Sequence, residues 1–196
     1  ATQSRNIVAN RIWEQIVESR NMFPKRENEK PYIPTSGVLI DRFPTGAICH
    51  VEGFPMELYV NNEFYGLGTF NLGKKRENYD IDQNNQNNIQ LSAETHINFN
   101  SYIVEQWEVR SPKVPDASFL TKIKEWFSSN ALTGDSFKNS FERNHNLVNA
   151  IDFFLFIEFT KATDEFFKNF ILTSWDGVKF SFMPYDLDTV FGLEWN

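Results

Sequence analysis

Asp164-Glu-Phe-Phe-Lys-Asn169, Phe170-Ile-Leu-Thr-Ser174, Trp175-Asp-Gly177, Val178-Lys-Phe-Ser-Phe-Met183 and Pro184-Tyr-Asp-Leu-Asp188 follow one another without interruption near the end of the chain. The middle of this stretch decides the fold. Phe170 to Ser174 is a run of β-formers. Val178 to Met183 alternates, with Val178, Phe180 and Phe182 on one face and Lys179, Ser181 and Met183 on the other. Asp176-Gly177 between them is a two-residue hairpin turn signal. A turn centred there predicts Asn169 opposite Pro184, with Asn169 and Asp186 emerging side by side at the open end. Asp186 and Asp188 are two apart and share a face in extended chain. Asp164 lies one helical turn and a bend before Asn169.

Apolar surroundings make carboxylates costly unless they are paired, hydrogen-bonded or bound to a cation. An Asp, an Asn and a pair of Asp oxygens converging at one edge suit Mg²⁺ or Mn²⁺, which take hard oxygen ligands. Singly, Asp186 or Asp188 also fits a turn cap or helix start, and Asp164 a helix end bonded to local backbone. The predicted hairpin joining the set favours the cation.

Before the hairpin the pattern turns helical. Leu147 to Thr163 carries Ile151, Phe153, Phe154, Leu155, Phe156, Ile157 and Phe159, apolar on nearly all sides, which predicts a buried central helix. Asp152 on it is a cap, an arginine partner or a group beneath the site. Phe119, Leu120, Ile123, Trp126 and Phe127 define an amphipathic helix. Gly134 breaks the chain, and Phe137 and Phe141 begin another helical piece. Arg110 to Ala117, with Pro112 and Pro115, is a connector.

The first half reads as β. Val38 to Ile40, Ala47 to Val51, Gln90 to Phe99 and Tyr102 to Val109 are strand candidates. Met56 to Val60, Asn61-Asn62 and Glu63 to Leu67 form a second predicted hairpin, since Asn accepts left-handed turns. Gly66, Gly68 and Gly73 precede Lys74-Lys75-Arg76. Glycines before a basic triplet bring backbone and ammonium groups to phosphates, but the spacing is neither a Walker loop nor GxGxxG, and a bulged strand with a solvated basic end explains it locally. At the N-terminus, Ser4 is a candidate N-cap for a helix to about Met22, with Val8, Ile12, Ile16, Ala9, Trp13 and Val17 at helical spacing. Pro24 to Pro34 is a loop. The architecture expected is α+β: a β-rich N-terminal half and a helical C-terminal half ending in a β-hairpin.

At 196 residues, 1–196 is expected to be a single domain with a sizeable core. Its 20 Phe residues predict a phenylalanine-filled interior. A net charge of −7 with no basic tract interleaved with aromatics argues against nucleic acid. A single cysteine, Cys49, excludes an internal disulfide and a Cys-based zinc site, and His50, His96 and His145 have no i,i+3 or i,i+4 pairing, so zinc is not expected. No run approaches the ~18 apolar residues of a membrane span. Ala1-Thr-Gln-Ser-Arg-Asn6 contains no signal-peptide core. Asp82 to Asn88 is a polar, Asn-rich loop.

Arg5-Asn6, Glu57-Leu-Tyr-Val-Asn-Asn-Glu-Phe-Tyr-Gly-Leu67, Asp164 with Lys168-Asn169, and Pro184-Tyr-Asp-Leu-Asp188 with Phe191-Gly192 resemble the spore coat protein H kinase-like family, usually called the CotH kinase family. The wording Lys168-Asn-Phe-Ile-Leu172, Trp175-Asp-Gly177 and Tyr185-Asp-Leu-Asp-Thr189 resembles members encoded in phage tail modules of low-GC Gram-positive bacteria. The resemblance implies a protein-kinase-like fold, ATP and Mg²⁺ as cofactors, phosphorylation of coat proteins, Asp164 as catalytic base, Asn169 and Asp186 as metal ligands, and Asp188 assisting. The step from Asp164 to Asn169 equals the Asp-x-x-x-x-Asn of the kinase catalytic loop. The sequence departs from the family at Leu72, where a Glu is usual, and at Gly68, where a Tyr is usual. The family's early strands, with their Arg-Gly-Asn motif and Lys-Lys pair, would precede Ala1. A fragment of a larger domain is therefore expected, with Lys74 and Lys75 as the candidates to replace the missing phosphate-binding cations.

Three functions follow. The first is an ATP- and Mg²⁺-dependent Ser/Thr phosphotransferase acting on a surface-assembly protein of a spore coat or phage tail, located there or in the cytoplasm during assembly. The second is a non-catalytic structural or host-surface-binding module of such a particle. The third is a glycosidase or sugar-binding domain using carboxylates near Trp175 and Tyr185; the Asn169 and Asp-x-Asp pattern, which points to a cation, ranks it last.

Overall fold

The computed structural model describes residues 3–20, 50–51, 53–71 and 73–192. The strand candidates at 38–40 and 47–49, the loop at 24–34 and the departure at Leu72 lie outside the described residues. The described part is mixed α+β, with four α-helices and two antiparallel sheets. In chain order the elements are α1 (Gln3–Arg20), β1 (Gly53–Val60), β2 (Glu63–Asn71), β3 (Ile89–Ala93), β4 (Trp107–Ser111), α2 (Ala117–Asn130), α3 (Gly134–Asn144), α4 (Leu147–Thr160), β5 (Phe170–Ser174) and β6 (Ser181–Pro184), with short 3-10 turns at Arg76–Tyr79, Val104–Gln106 and Thr163–Phe166. Ser4 therefore falls inside α1 rather than capping it.

β1 and β2 form a separate two-stranded ribbon. Its turn is the expected Asn61-Asn62, both at positive φ (50° and 68°), with Val60 opposite Glu63. The register slips between Leu58 and Tyr59, because β2 carries Tyr65 as an extra residue. Gly66 and Gly68 lie within β2, so that stretch is the bulged strand of the local reading.

The main sheet runs in the order β4-β3-β5-β6. Residues of β5 alternate between two cores: Phe170 and Leu172 face the main cluster, while Ile171 joins Tyr79, Ile81 and Met183 on the other side. The main cluster stacks Trp13 from α1, Phe119, Ile123, Trp126 and Phe127 from α2, and Phe153, Phe156 and Ile157 from α4 against the sheet. Burying each such aromatic stabilises the fold by about 1.5–3 kcal/mol. Asp116 starts α2 by accepting from the N–H groups of Ser118 and Phe119. The strands at β3 and β4 are shorter than the alternation predicted: 94–99 leaves the sheet, and 104–106 is a 3-10 turn.

Two sequence expectations need correction. The hairpin register is one residue off, with Phe170, not Asn169, opposite Pro184. The connection is wider than two residues because Asp176 organises it. Its Oδ1 accepts from the N–H groups of Val178 and Lys179 and from the Ser174 hydroxyl, whose oxygen in turn accepts from Gly177 N–H. Val178 and Lys179 are thus drawn into the turn, and the strand begins at Ser181. Nor is α4 buried all round. Asn149, Asp152, Phe153, Phe156, Ile157 and Thr160 face inward, whereas Ile151, Phe154, Leu155 and Phe159 are at least half exposed. Among the described residues, one side of the helix meets the sheet and α1.

Asn149 ties α4 to the sheet edge. Its Nδ2 donates to the Phe182 carbonyl (2.9 Å) and its Oδ1 accepts from the Phe182 N–H (2.6 Å). Asn146 N–H donates to the Phe180 carbonyl and Phe180 N–H to the Asn144 carbonyl, completing the edge. Of the alternatives for Asp152, the arginine partnership is the one found: Arg20 of α1 binds both its oxygens, at 3.0 and 3.3 Å.

Candidate functional site

The site forms where α4, β3 and β6 end together. α4 stops at Lys161, which takes a left-handed conformation (φ 57°) and returns its N–H to the Ile157 carbonyl. The chain then tightens into the 3-10 turn carrying Asp164. Lys168 N–H closes that turn on the Asp164 carbonyl (2.9 Å), and the Lys168 ammonium lies 3.0 Å from the Asp164 carboxylate.

Asn169 is the pivot from this turn into β5. It adopts φ 59°, a left-handed conformation that Asn tolerates better than most residues. Its N–H donates to the Ala93 carbonyl at the end of β3 (3.0 Å), and its carbonyl accepts from Tyr185 N–H (3.1 Å). The backbone of Asn169 is therefore fixed beside the exit of β6. Despite the register correction, the two polar segments meet as predicted, one residue later.

Beyond β6 the alternation of Asp186-Leu-Asp188 is kept. Leu187 is fully buried in the main core, and the two aspartates are partly exposed. α1 grips this segment: Asn6 Oδ1 accepts from Leu187 N–H (3.4 Å) and Arg5 donates to the Val190 carbonyl (3.2 Å). Arg5-Asn6 thus supports the Asp-x-Asp segment from behind. Burial pushes the Asp186 carboxyl above the usual carboxylate range, and the charges of Asp188 and Asp164 push the same way; Lys74 and Lys168 oppose them.

Sequence reasoning missed Glu165. It is fully buried, and among the described residues neither carboxyl oxygen meets a partner from another residue. Burial foremost, then the charges of Asp164, Asp186 and Asp188, raise it from 4.5 to about 8. Nothing in its residue type announces this. The only available signal was its position beside Asp164 in an apolar stretch.

Of the two lysine candidates, the structure brings in one. Lys74 is largely buried, 2.8 Å from Glu94 and 4.5 Å above the Tyr185 ring centroid. Lys75 is exposed. The histidines take no part: His145 is buried against Phe141 with centroids 3.9 Å apart, His96 stacks on Phe167, and His50 lies 3.4 Å from Glu14.

Among the described residues no three His, Cys, Asp or Glu side chains are gathered closely enough to cage a metal ion. The donor set still fits Mg²⁺ or Mn²⁺, because Mg²⁺ is commonly held by one or two carboxylates, with water and phosphate oxygens completing its shell. Asp164, Glu165, Asp186 and Asp188 interact electrostatically, and Lys168 and Lys74 are the cations that oppose them at Asp186. A divalent cation added among these carboxylates would meet oxygen donors and ease their mutual repulsion.

The family model described as CotH kinase protein matches residues 51–196. The chain belongs to the CotH kinase protein family. The match covers every site residue named above except Arg5 and Asn6. Among curated proteins, none matches the chain. No described helix is long and apolar enough to cross a membrane.

Proposed function

We propose that this CotH family member is an ATP- and Mg²⁺-dependent phosphotransferase with a protein-kinase-like fold, acting on Ser or Thr of a surface-assembly protein. The observation that carries the reading is the meeting of two segments. Asn169, five residues after Asp164, is bonded through its backbone to Tyr185, immediately before Asp186. Asn169 and Asp186 would hold the metal, with Asp188 assisting. Bound there, Mg²⁺ would neutralise phosphate charge. Asp164 would orient the acceptor hydroxyl and take its proton, with the Lys168 ammonium 3.0 Å from its carboxylate to hold it in place. Lys74 would face the phosphates. Phosphoryl transfer demands chiefly positioning and charge stabilisation, and these groups supply both.

The test is thermal unfolding with Mg²⁺ and ATP together. A rise in melting temperature that needs both, and that Asp186→Ala abolishes while leaving the unliganded protein folded, is expected. No shift with any nucleotide overturns the reading.

A second reading, a structural or host-surface-binding module of a spore coat or phage tail, draws on the β1–β2 ribbon. Phe54, Tyr59, Phe64, Tyr65 and Leu67 are all more than half exposed on it, an apolar surface of the kind found at assembly contacts. Either reading places the protein in a spore coat or virion, and the first also in the cytoplasm during assembly. Assembly that survives Asp164→Ala favours the second.

A further inference from the structure

Lys74 follows Gly73 in a connection outside the strands, where a lysine normally extends into water. Here its side chain is only 13% exposed. Three contacts hold it. Its ammonium lies 2.8 Å from a Glu94 carboxylate oxygen. It sits 4.5 Å over the face of Tyr185. Its own carbonyl accepts from Arg110 at 3.0 Å, and Arg110 is itself held by Glu108 on the same strand.

The two side chains that hold the ammonium are chain neighbours of the site. Glu94 directly follows Ala93, whose carbonyl anchors Asn169, and Tyr185 directly precedes Asp186. An ammonium has three N–H donors. Glu94 takes one and the ring covers one side, which leaves donor capacity for a further acceptor. The charge also reaches Asp186, where Lys74 counters the burial of the carboxylate. A cation already fixed in place loses little further freedom when it meets an anion.

We propose that Glu94 and Tyr185 are positioning residues that aim Lys74 at the phosphate chain of a nucleoside triphosphate, so that the chain spans from Lys74 to the metal on Asp186. This rests on the phosphotransferase reading and adds the way the phosphate end is gripped. Glu94 acts through orientation: although it carries negative charge beside the phosphate position, its fixing of the ammonium outweighs that repulsion.

Calorimetric titration of the intact protein with ATP, and separately with inorganic tripolyphosphate, each with Mg²⁺, tests this. Glu94→Gln is expected to weaken both ligands about fivefold, by removing the charged half of the pair, with the melting temperature of the unliganded protein unchanged. Tyr185→Leu is expected to weaken both about threefold, and Tyr185→Phe, which keeps the ring face, to restore the affinity. A purely structural role would move the melting temperature and would not single out the phosphate ligands. Binding in Glu94→Gln that equals or exceeds that of the wild type overturns the inference while leaving the phosphotransferase reading in place. So does a wild-type protein that binds ATP but is indifferent to Lys74→Ala. If the wild type binds neither ligand, the phosphotransferase reading itself falls, and the positioning role with it.

Discussion

Glu165 gives the most quantitative handle on the site. It is fully buried, and its carboxyl is raised from 4.5 in the open chain to about 8 in the fold. Below the lower value both states hold the proton and the residue is neutral in its effect. As pH rises the unfolded chain releases the proton first, so stability is progressively lost up to the folded value. Integrating that difference gives a loss of roughly 3.5 kcal/mol between about pH 5 and about pH 8, at 1.36 kcal/mol for each unit. Glu165→Gln keeps the shape and cannot ionise. Urea unfolding of wild type and variant across this range should therefore show the variant gaining on the wild type by about that amount as pH rises. Parallel stability profiles would refute the reasoning, because they would mean the carboxyl is already paired or hydrated. Repeating the series with Mg²⁺ should narrow the gap at about pH 8, since a cation relieves the crowding of negative charge from Asp164, Asp186 and Asp188.

Two further outcomes follow from the fold. Asn149→Ala removes both partners of the Phe182 peptide groups at the sheet edge and leaves a buried N–H and carbonyl unpaired; a loss of about 3 kcal/mol in chemical denaturation is expected. His145 is held near 4 instead of 6.5, chiefly by burial, with the Phe141 carbonyl opposing. The unfolded chain therefore protonates first as pH falls, and about 3 kcal/mol of stability present above about pH 6.5 should be gone by about pH 4. His145→Phe should flatten that part of the profile, as read by thermal unfolding.

Much of this architecture was legible because its signals are local. Asn61-Asn62 fixes a turn through backbone conformation alone, and Asp186-Leu-Asp188 sorts its side chains by strand alternation. The hairpin register was not legible to the residue, since it depends on the Asp176 carboxylate collecting two backbone donors and widening the turn. The exposure of Ile151, Phe154, Leu155 and Phe159 was misread for a different reason: apolar composition says that a helix can be buried, not how many sides meet a neighbour. Within the candidate site, Asp164, Asn169, Asp186 and Asp188 are marked out by spacing across the hairpin. Glu165 and Glu94 were not. One is defined by burial and the other by a contact with Lys74 across 20 positions of sequence, and neither leaves a pattern in the chain.

The bond pair between Asn149 and Phe182 has a consequence for how the molecule behaves in company. Among the described residues β6 is the outermost strand of its sheet, and an open outermost strand invites another chain to add itself there. The side-chain amide imitates the peptide of an absent neighbour at Phe182, while Asn144 and Asn146 do the same at Phe180. Growth of the sheet on that side is blocked within the monomer. The strand leading to Asp186 is thereby reserved for the site, and strand-to-strand assembly with other molecules is directed away from it.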